Sequence, residues 1–260
     1  MTDAFEPGQT WCATLAWRGD AYAGWQVQPN APTVQQMVQE AVGRLCGLDH
    51  PLPVRATGRT DAGVHAEMQL VGFQTPVART PEQVRAGLNF HTPSDIVCLE
   101  VVPMPAGFSP RGWTKRKLYR YRLLNRVPPC PFRLGLVWHL KPALDVAAMQ
   151  QAIAALVGRH DFSSFRAAGC AADSPVRTLQ AAAVREADRG EVHLEFEGHG
   201  FLRHQVRIMV GTLVEVGLDK RPVGDVQRAL QGRDRLLAGA TAPAHGLTLV
   251  HVTLADGPRR

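Results

Sequence analysis

The sequence predicts an α+β fold of two similar units, each an antiparallel sheet covered on one face by helices. Two observations support this. Strand-like and helix-like stretches alternate along the 260 residues, and each half holds two long helices among several strands. With 45% apolar and 20% charged residues, the composition is that of a soluble globular protein. Two prolines and a glycine interrupt the pattern at residues 103–109, so we place the units at residues 1–105 and 106–260.

Four helices are predicted from apolar residues at helical spacing, and the first three follow a start signal. Thr33 with Gln36, and Thr80 with Gln83, fit the capping-box pattern, in which each residue satisfies a backbone N–H group of the other. Asp145 precedes the third helix. The apolar positions of the four helices span residues 34–45, 84–88, 148–157 and 201–216.

The stretches between the helices are rich in β-branched and aromatic residues, which favour strands. These predicted strands cover residues 10–17, 52–57, 68–73, 96–102, 118–124, 178–185, 192–197 and 247–253.

The overall composition favours a cytoplasmic protein. No apolar run approaches the roughly 20 residues that span a bilayer, and residues 1–8 carry acids where a signal peptide carries bases. The five cysteines are scattered and form no C-x-x-C pair, so we expect neither disulfides nor a zinc site.

The chain is basic, with a net charge of +6, and only four of its 29 basic residues are lysine. Arginine binds phosphate bidentately and stacks on bases, which suits a nucleic-acid partner. Biased codon usage in an alanine-rich chain explains the arginine content equally well.

The most informative segment is residues 58–66, GRTDAGVHA, between two predicted strands. Its two glycines allow a tight backbone path, and Asp61 sits between them beside Arg59 and Thr60. Taken alone, Asp61 with the following Ala-Gly is more typical of a simple turn. The whole nonapeptide, however, resembles the catalytic segment of the tRNA pseudouridine synthase A (TruA) family, whose catalytic aspartate falls on Asp61.

Further segments resemble the same family, in the same order and over nearly the whole chain. The chain departs from the family at residues 17–19 (WRG), where Tyr-Asp-Gly is usual, and at residues 108–111 (FSPR). The further matches are residues 24–29 (GWQVQP), 117–121 (KLYRY), 160–165 (HDFSSF), 176–178 (VRT), 201–211 (FLRHQVRIMVG) and 243–247 (PAHGL).

The resemblance implies an isomerase that converts uridine to pseudouridine at positions 38, 39 and 40 of the tRNA anticodon arm. It also implies a homodimer that needs no cofactor and no metal, because the reaction moves one bond within its substrate. Asp61 would attack the sugar or base as a nucleophile, or stabilise positive charge at C1′; the sequence leaves both routes open.

The resemblance also assigns substrate-binding residues. Tyr119 would stack on the uracil and accept the C5 proton, although Tyr119 and Tyr121 share one face of a predicted strand and core packing is the alternative for both. Arg207 would pair with Asp61, whereas a solvated helix edge is the default interpretation of this arginine. Arg59 would contact the target nucleotide or the displaced base stack, and Leu247 would form an apolar wall of the pocket.

A basic segment adds an RNA-binding prediction. Seven basic residues fall within residues 111–126, which suits a phosphate track, with a solvated strand edge as the alternative. Free sheet faces of the two units would form a central basic RNA-binding cleft. An RNA-binding protein without turnover remains a second hypothesis. A glycosidase is disfavoured because no second acid accompanies Asp61.

Overall fold

The structure is a computed structural model that describes residues 8–257. The acidic stretch at residues 1–7, used in the cytoplasmic prediction, lies outside the described residues. The described chain divides into two compact units, one holding the residues up to Lys115 and those from Leu249 onward, the other Arg116–Thr248.

The first unit is an α+β unit built on β1 (Gln9–Trp17), β3 (His65–Thr75) and β4 (Ile96–Met104). β1 pairs antiparallel with both β3 and β4. The remaining elements are α1 (Val34–Leu45), β2 (Val54–Ala56), which pairs antiparallel with β3, α2 (Pro81–His91) and the short α3 (Pro110–Trp113). α2 packs on β4 and α1 packs on α2.

The second unit is also an α+β unit. β5 (Thr114–Asn125), β9 (Glu191–Gly198), β8 (Val176–Ala187) and β7 (Gly158–Asp161) lie side by side in that order and pair antiparallel. The short β6 (Trp138–Leu140) pairs with β5 in parallel, which differs from the predicted antiparallel pattern. The helices are α4 (Val146–Ile153), which packs on β8, α5 (Gln205–Gly217) and α6 (Asp225–Gly232).

The last strand, β10 (Leu247–Leu254), returns the chain to the first unit, where it lies next to β3. The sequence prediction instead placed everything after residue 105 in the second unit. Residues 106–113 belong to the first unit because Pro110 packs directly on Gly72 of β3: a Cβ at Gly72 would lie 2.8 Å from the Pro110 ring. Ala255 N–H donates to the Trp113 carbonyl at 2.8 Å, which fixes the returning strand.

The predicted helix starts are confirmed at three helices and shifted at the fourth. Thr33 and Thr80 accept from the backbone N–H groups of Gln36 and Gln83, and Asp145 caps α4 in the same way. The reciprocal bond of a capping box forms only at Thr80, because the Gln36 side chain donates to Glu40 instead. α5, in contrast, begins at Gln205 and not at residue 201. His204 adopts a left-handed φ of 59°, which interrupts helical geometry ahead of Gln205.

Candidate functional site

Asp61 lies on the loop between the paired strands β2 and β3. Val64 N–H donates to the Asp61 carbonyl at 3.2 Å, and Gly63 has a φ of 76°, in the region that favours glycine. Asp61 is half-buried, whereas Arg59 is exposed. The segment is therefore a turn, as its composition indicates, and the hydrogen bond within this turn holds the backbone of Asp61 in place.

A second segment, residues 19–25, forms backbone hydrogen bonds with this loop. Trp25 N–H donates to the Thr60 carbonyl at 3.1 Å, and Gly63 N–H donates to the Tyr22 carbonyl at 3.3 Å. Gly24 has a φ of 93°, and a Cβ there would lie 2.7 Å from the Thr60 carbonyl oxygen. Only glycine allows this close approach, so Gly24 lets residues 19–25 pack directly on the backbone beside Asp61.

Trp17 braces the end of the same loop. Its indole Nε1–H donates to the Val64 carbonyl at 3.2 Å, and its ring lies 5.7 Å from the Trp25 ring, centroid to centroid. Gly19 N–H donates to Nδ1 of the buried His65 at 2.9 Å, so this nitrogen carries no proton. The sequence alone did not reveal this brace, and residue 17 is one of the positions at which the chain departs from the family pattern.

In the second unit, Tyr119 lies on β5 on the same face as Tyr121, as their spacing predicts. Tyr119 is buried, and its ring makes an edge-to-face contact with Phe201, centroid to centroid 5.1 Å. Tyr121 is fully buried, and its hydroxyl donates to the Pro243 carbonyl at 2.8 Å. Burial raises the pKa of Tyr121. Tyr121 is therefore a core residue with a satisfied hydroxyl.

Arg207 lies in the first turn of α5, beside the segment at residues 240–243. Its Nε–H donates to the Ala242 carbonyl at 2.8 Å, and Ala242 N–H donates back to the Arg207 carbonyl at 3.1 Å. Its positive charge acts on the Tyr121 hydroxyl, where it opposes the larger effect of burial on the pKa of that group. Arg207 is half-buried, whereas Arg203, which precedes the helix, is exposed.

Leu247 begins β10 and is buried, with 4% of its surface exposed. The preceding Gly246 packs against the Tyr121 ring so closely that a Cβ there would lie 2.6 Å from the ring carbons. The second unit thus brings Arg207, Tyr121 and residues 242–247 into one neighbourhood. Asp61 and Arg59 lie in the first unit.

The arginines of β5 occupy the strand face opposite the tyrosines and pair with acids of the neighbouring strand. The cross-strand ion pairs are Arg116 with Glu197 at 2.9 Å, Arg120 with Glu195 at 2.8 Å and Arg122 with Glu191 at 3.0 Å. These carboxylates offset part of the positive charge predicted to form a phosphate track. The missed signal was the alternation of acids along the strand at residues 191–197, which matches the alternation of arginines on β5.

Glu191 is the most strongly held of these acids, with 5% of its surface exposed. Arg122 contacts it with two nitrogens, and Arg133 and His193 donate at 2.6 and 2.9 Å. Burial acts to raise the pKa of the Glu191 carboxyl, but these hydrogen bonds outweigh it and lower the pKa to about 2. This cluster stabilises the joined ends of β5 and β9.

Two features are absent from residues 8–257. No three His, Cys, Asp or Glu side chains in that range are grouped so that they could hold a metal ion. None of the helices there is long and apolar enough to cross a membrane.

Comparison with known proteins gives a consistent result. A family model described as tRNA pseudouridine synthase matches residues 13–109 and 152–253, ranges that include Asp61 and Arg207 but not Tyr119. The tRNA pseudouridine synthase A of Myxococcus xanthus is 43% identical, over 94% of this chain and 92% of its own. That of Acidiphilium cryptum is 47% identical, over 93% and 95%. That of Rhodospirillum centenum is 44% identical, over 92% and 97%.

Proposed function

The chain belongs to the tRNA pseudouridine synthase family, and from this premise we propose that it isomerises uridine at positions 38, 39 and 40 of the tRNA anticodon stem and loop, with Asp61 as its catalytic carboxylate. The observation that carries the proposal is the mounting of Asp61: a half-buried carboxylate on a turn whose backbone is held by Trp25 and by the close approach of Gly24. Preorganisation of this kind is what a catalytic group requires.

The reaction breaks the bond between ribose C1′ and uracil N1, turns the base, and forms a bond between C1′ and C5. A carboxylate serves such a step as a nucleophile or by stabilising positive charge at C1′. Both roles require a carboxylate on a backbone that stays in place, and the hydrogen bonds from Trp25 N–H to the Thr60 carbonyl and from Gly63 N–H to the Tyr22 carbonyl hold the backbone on either side of Asp61. The C5 proton leaves in the last step, and we assign its acceptance to the Tyr119 hydroxyl.

We assign binding of the target nucleotide to Tyr119, Arg59, Arg207 and Leu247. Tyr119 offers an aromatic ring for stacking on the uracil, and its edge-to-face contact with Phe201 fixes the plane of that ring. The hydrogen bond between Arg207 and the Ala242 carbonyl fixes the guanidinium in the same way. Arg59 is exposed and Leu247 apolar, which suits them to phosphate and base contact respectively.

The positional assignment is tested with tRNA transcripts that keep uridine at one of positions 38, 39 and 40 and carry cytidine at the other two. Each transcript is incubated with the protein, digested, and analysed for pseudouridine by chromatography. We expect product from each single-uridine transcript and none from a transcript lacking all three. Product from that last transcript would overturn the positional assignment while leaving the isomerase intact.

The catalytic role of Asp61 is tested with Asp61→Asn beside Asp49→Asn, a control whose carboxylate is exposed and lies ahead of β2, outside the loop at residues 58–66. We expect Asp61→Asn to bind tRNA without forming pseudouridine, and Asp49→Asn to match the wild type. If the wild type binds tRNA but forms no pseudouridine, the protein is an RNA-binding protein without turnover, and the proposal is wrong.

We also propose that the protein acts as a homodimer in the cytoplasm, which the resemblance to the family supports. Light scattering after size exclusion should give twice the chain mass of 28.4 kDa. A mass of one chain at micromolar concentration would contradict the dimer.

A further inference from the structure

Thr60, directly before Asp61, carries a buried hydroxyl that forms no hydrogen bond to any described residue. Only 8% of Thr60 is exposed, and its backbone carbonyl is already held by Trp25 N–H. A buried hydroxyl without a partner is unfavourable, and valine has nearly the same shape without this cost. The Thr60 hydroxyl therefore does not stabilise the folded structure.

Within residues 8–257, four buried side-chain atoms lack a hydrogen-bond partner, and Thr60 differs from the other three. In Gln74 and Gln205 the other atom of the amide is hydrogen-bonded. Asp225 forms an ion pair with Arg228 at 3.0 Å. The hydroxyl is the sole polar side-chain atom of Thr60, so this side chain has no polar contact at all with the rest of the described chain.

We propose that Thr60 is a positioning residue, whose hydroxyl donates a hydrogen bond to the Asp61 carboxylate once the target uridine is bound. Adjacent Cα atoms are about 3.8 Å apart, a separation that the short side chains of Thr and Asp span when their rotamers turn towards each other. Trp25 N–H, which donates to the Thr60 carbonyl, holds the peptide group that joins the two residues. The bond holds the carboxylate in its reacting orientation, and the inference rests on the proposed isomerase function.

The test compares Thr60→Val, which removes the hydroxyl, with Thr60→Ser, which keeps it. Thr75→Val is the matched control: Thr75 is also buried in the first unit, but its hydroxyl accepts from Trp11 and donates to the Val77 carbonyl. Three quantities are measured for each variant: the single-turnover rate of pseudouridine formation at saturating protein, the Kd for tRNA, and the melting temperature.

For Thr60→Val we expect a rate roughly 10- to 100-fold lower, as for the loss of one hydrogen bond to a charged group. Its Kd for tRNA should be unchanged and its melting temperature equal to or above the wild type. Thr60→Ser should restore the rate to within about threefold. Thr75→Val should show the reverse. Its melting temperature should be lower, and its rate of pseudouridine formation should equal that of the wild type at temperatures below that melting temperature.

Two results would overturn the inference. One is a wild-type rate for Thr60→Val; the other is a Thr60→Val protein that melts early or does not fold, which would show that the hydroxyl has a structural partner. Failure of the proposed function is distinguishable from both, because then the wild type itself would form no pseudouridine.

Discussion

The ion pairs between β5 and β9 lead to a quantitative prediction about tRNA binding. If Arg116 and Arg120 are held mainly by Glu197 and Glu195, they contribute little to phosphate contact. The perturbation replaces all four residues by glutamine, which removes two arginines and two acids and leaves the net charge unchanged. Because the pairs are partly exposed, stability should change little.

The magnitude follows from counterion release. Each phosphate contact adds about 0.7 to 0.9 to the slope of log Kd against log salt concentration, so two lost contacts would lower the slope by about 1.4 to 1.8. We predict a change well below that of one contact. Affinity is measured by fluorescence anisotropy with labelled tRNA between 50 and 300 mM salt. Arg59→Gln serves as the comparison and should lower the slope by about one contact. A drop of about 1.5 or more in the fourfold variant would refute the reasoning.

Three further predictions concern the loop and the Glu191 cluster. Gly24→Ala places a Cβ 2.7 Å from the Thr60 carbonyl oxygen, at a φ of 93°. We therefore expect kcat to fall at least tenfold, with a smaller change in the Kd for tRNA. Equal losses in kcat and in affinity would contradict a role of Gly24 in positioning Asp61. Trp17→Phe loses the hydrogen bond to the Val64 carbonyl and should lower the free energy of unfolding by about 1–2 kcal/mol in urea; an unchanged midpoint would count against the brace. The Glu191 carboxyl has a pKa of about 2 in the folded protein against 4.5 ordinarily, so its contribution of about 3 kcal/mol is complete above pH 4.5 and lost as pH falls toward 2. The difference in stability between wild type and Glu191→Gln should therefore shrink below pH 4.5, and a constant difference would contradict it.

Local signals in the sequence predicted much of the fold. The caps at Thr33, Thr80 and Asp145 are formed because a cap depends only on residues within one turn of the helix. Alternation along β5 likewise placed Tyr119 and Tyr121 on one face. The start of α5 was missed because the left-handed φ of His204 leaves no compositional signal in a residue other than glycine.

Features that depend on distant partners were not predicted, because a pattern within one strand does not say which strand lies beside it. Pairing of Arg120 with Glu195 requires the register of two strands about 75 positions apart, and no short-range pattern fixes that register. The contact between Gly24 and Thr60 likewise joins distant segments. Asp61 itself was found by resemblance, because its local pattern alone favours a turn. The structure adds what holds that turn in place.

The most direct test of the central claim is release of the C5 hydrogen. Because the new glycosidic bond forms at C5, tRNA labelled with tritium at C5 of uridine must release one tritium to water for each pseudouridine formed. We predict that the wild-type protein, with no cofactor added, releases label in proportion to pseudouridine recovered by digestion, and that Asp61→Asn releases none while binding the same tRNA. Release by Asp61→Asn at the wild-type rate would contradict the assignment of Asp61 as the catalytic carboxylate.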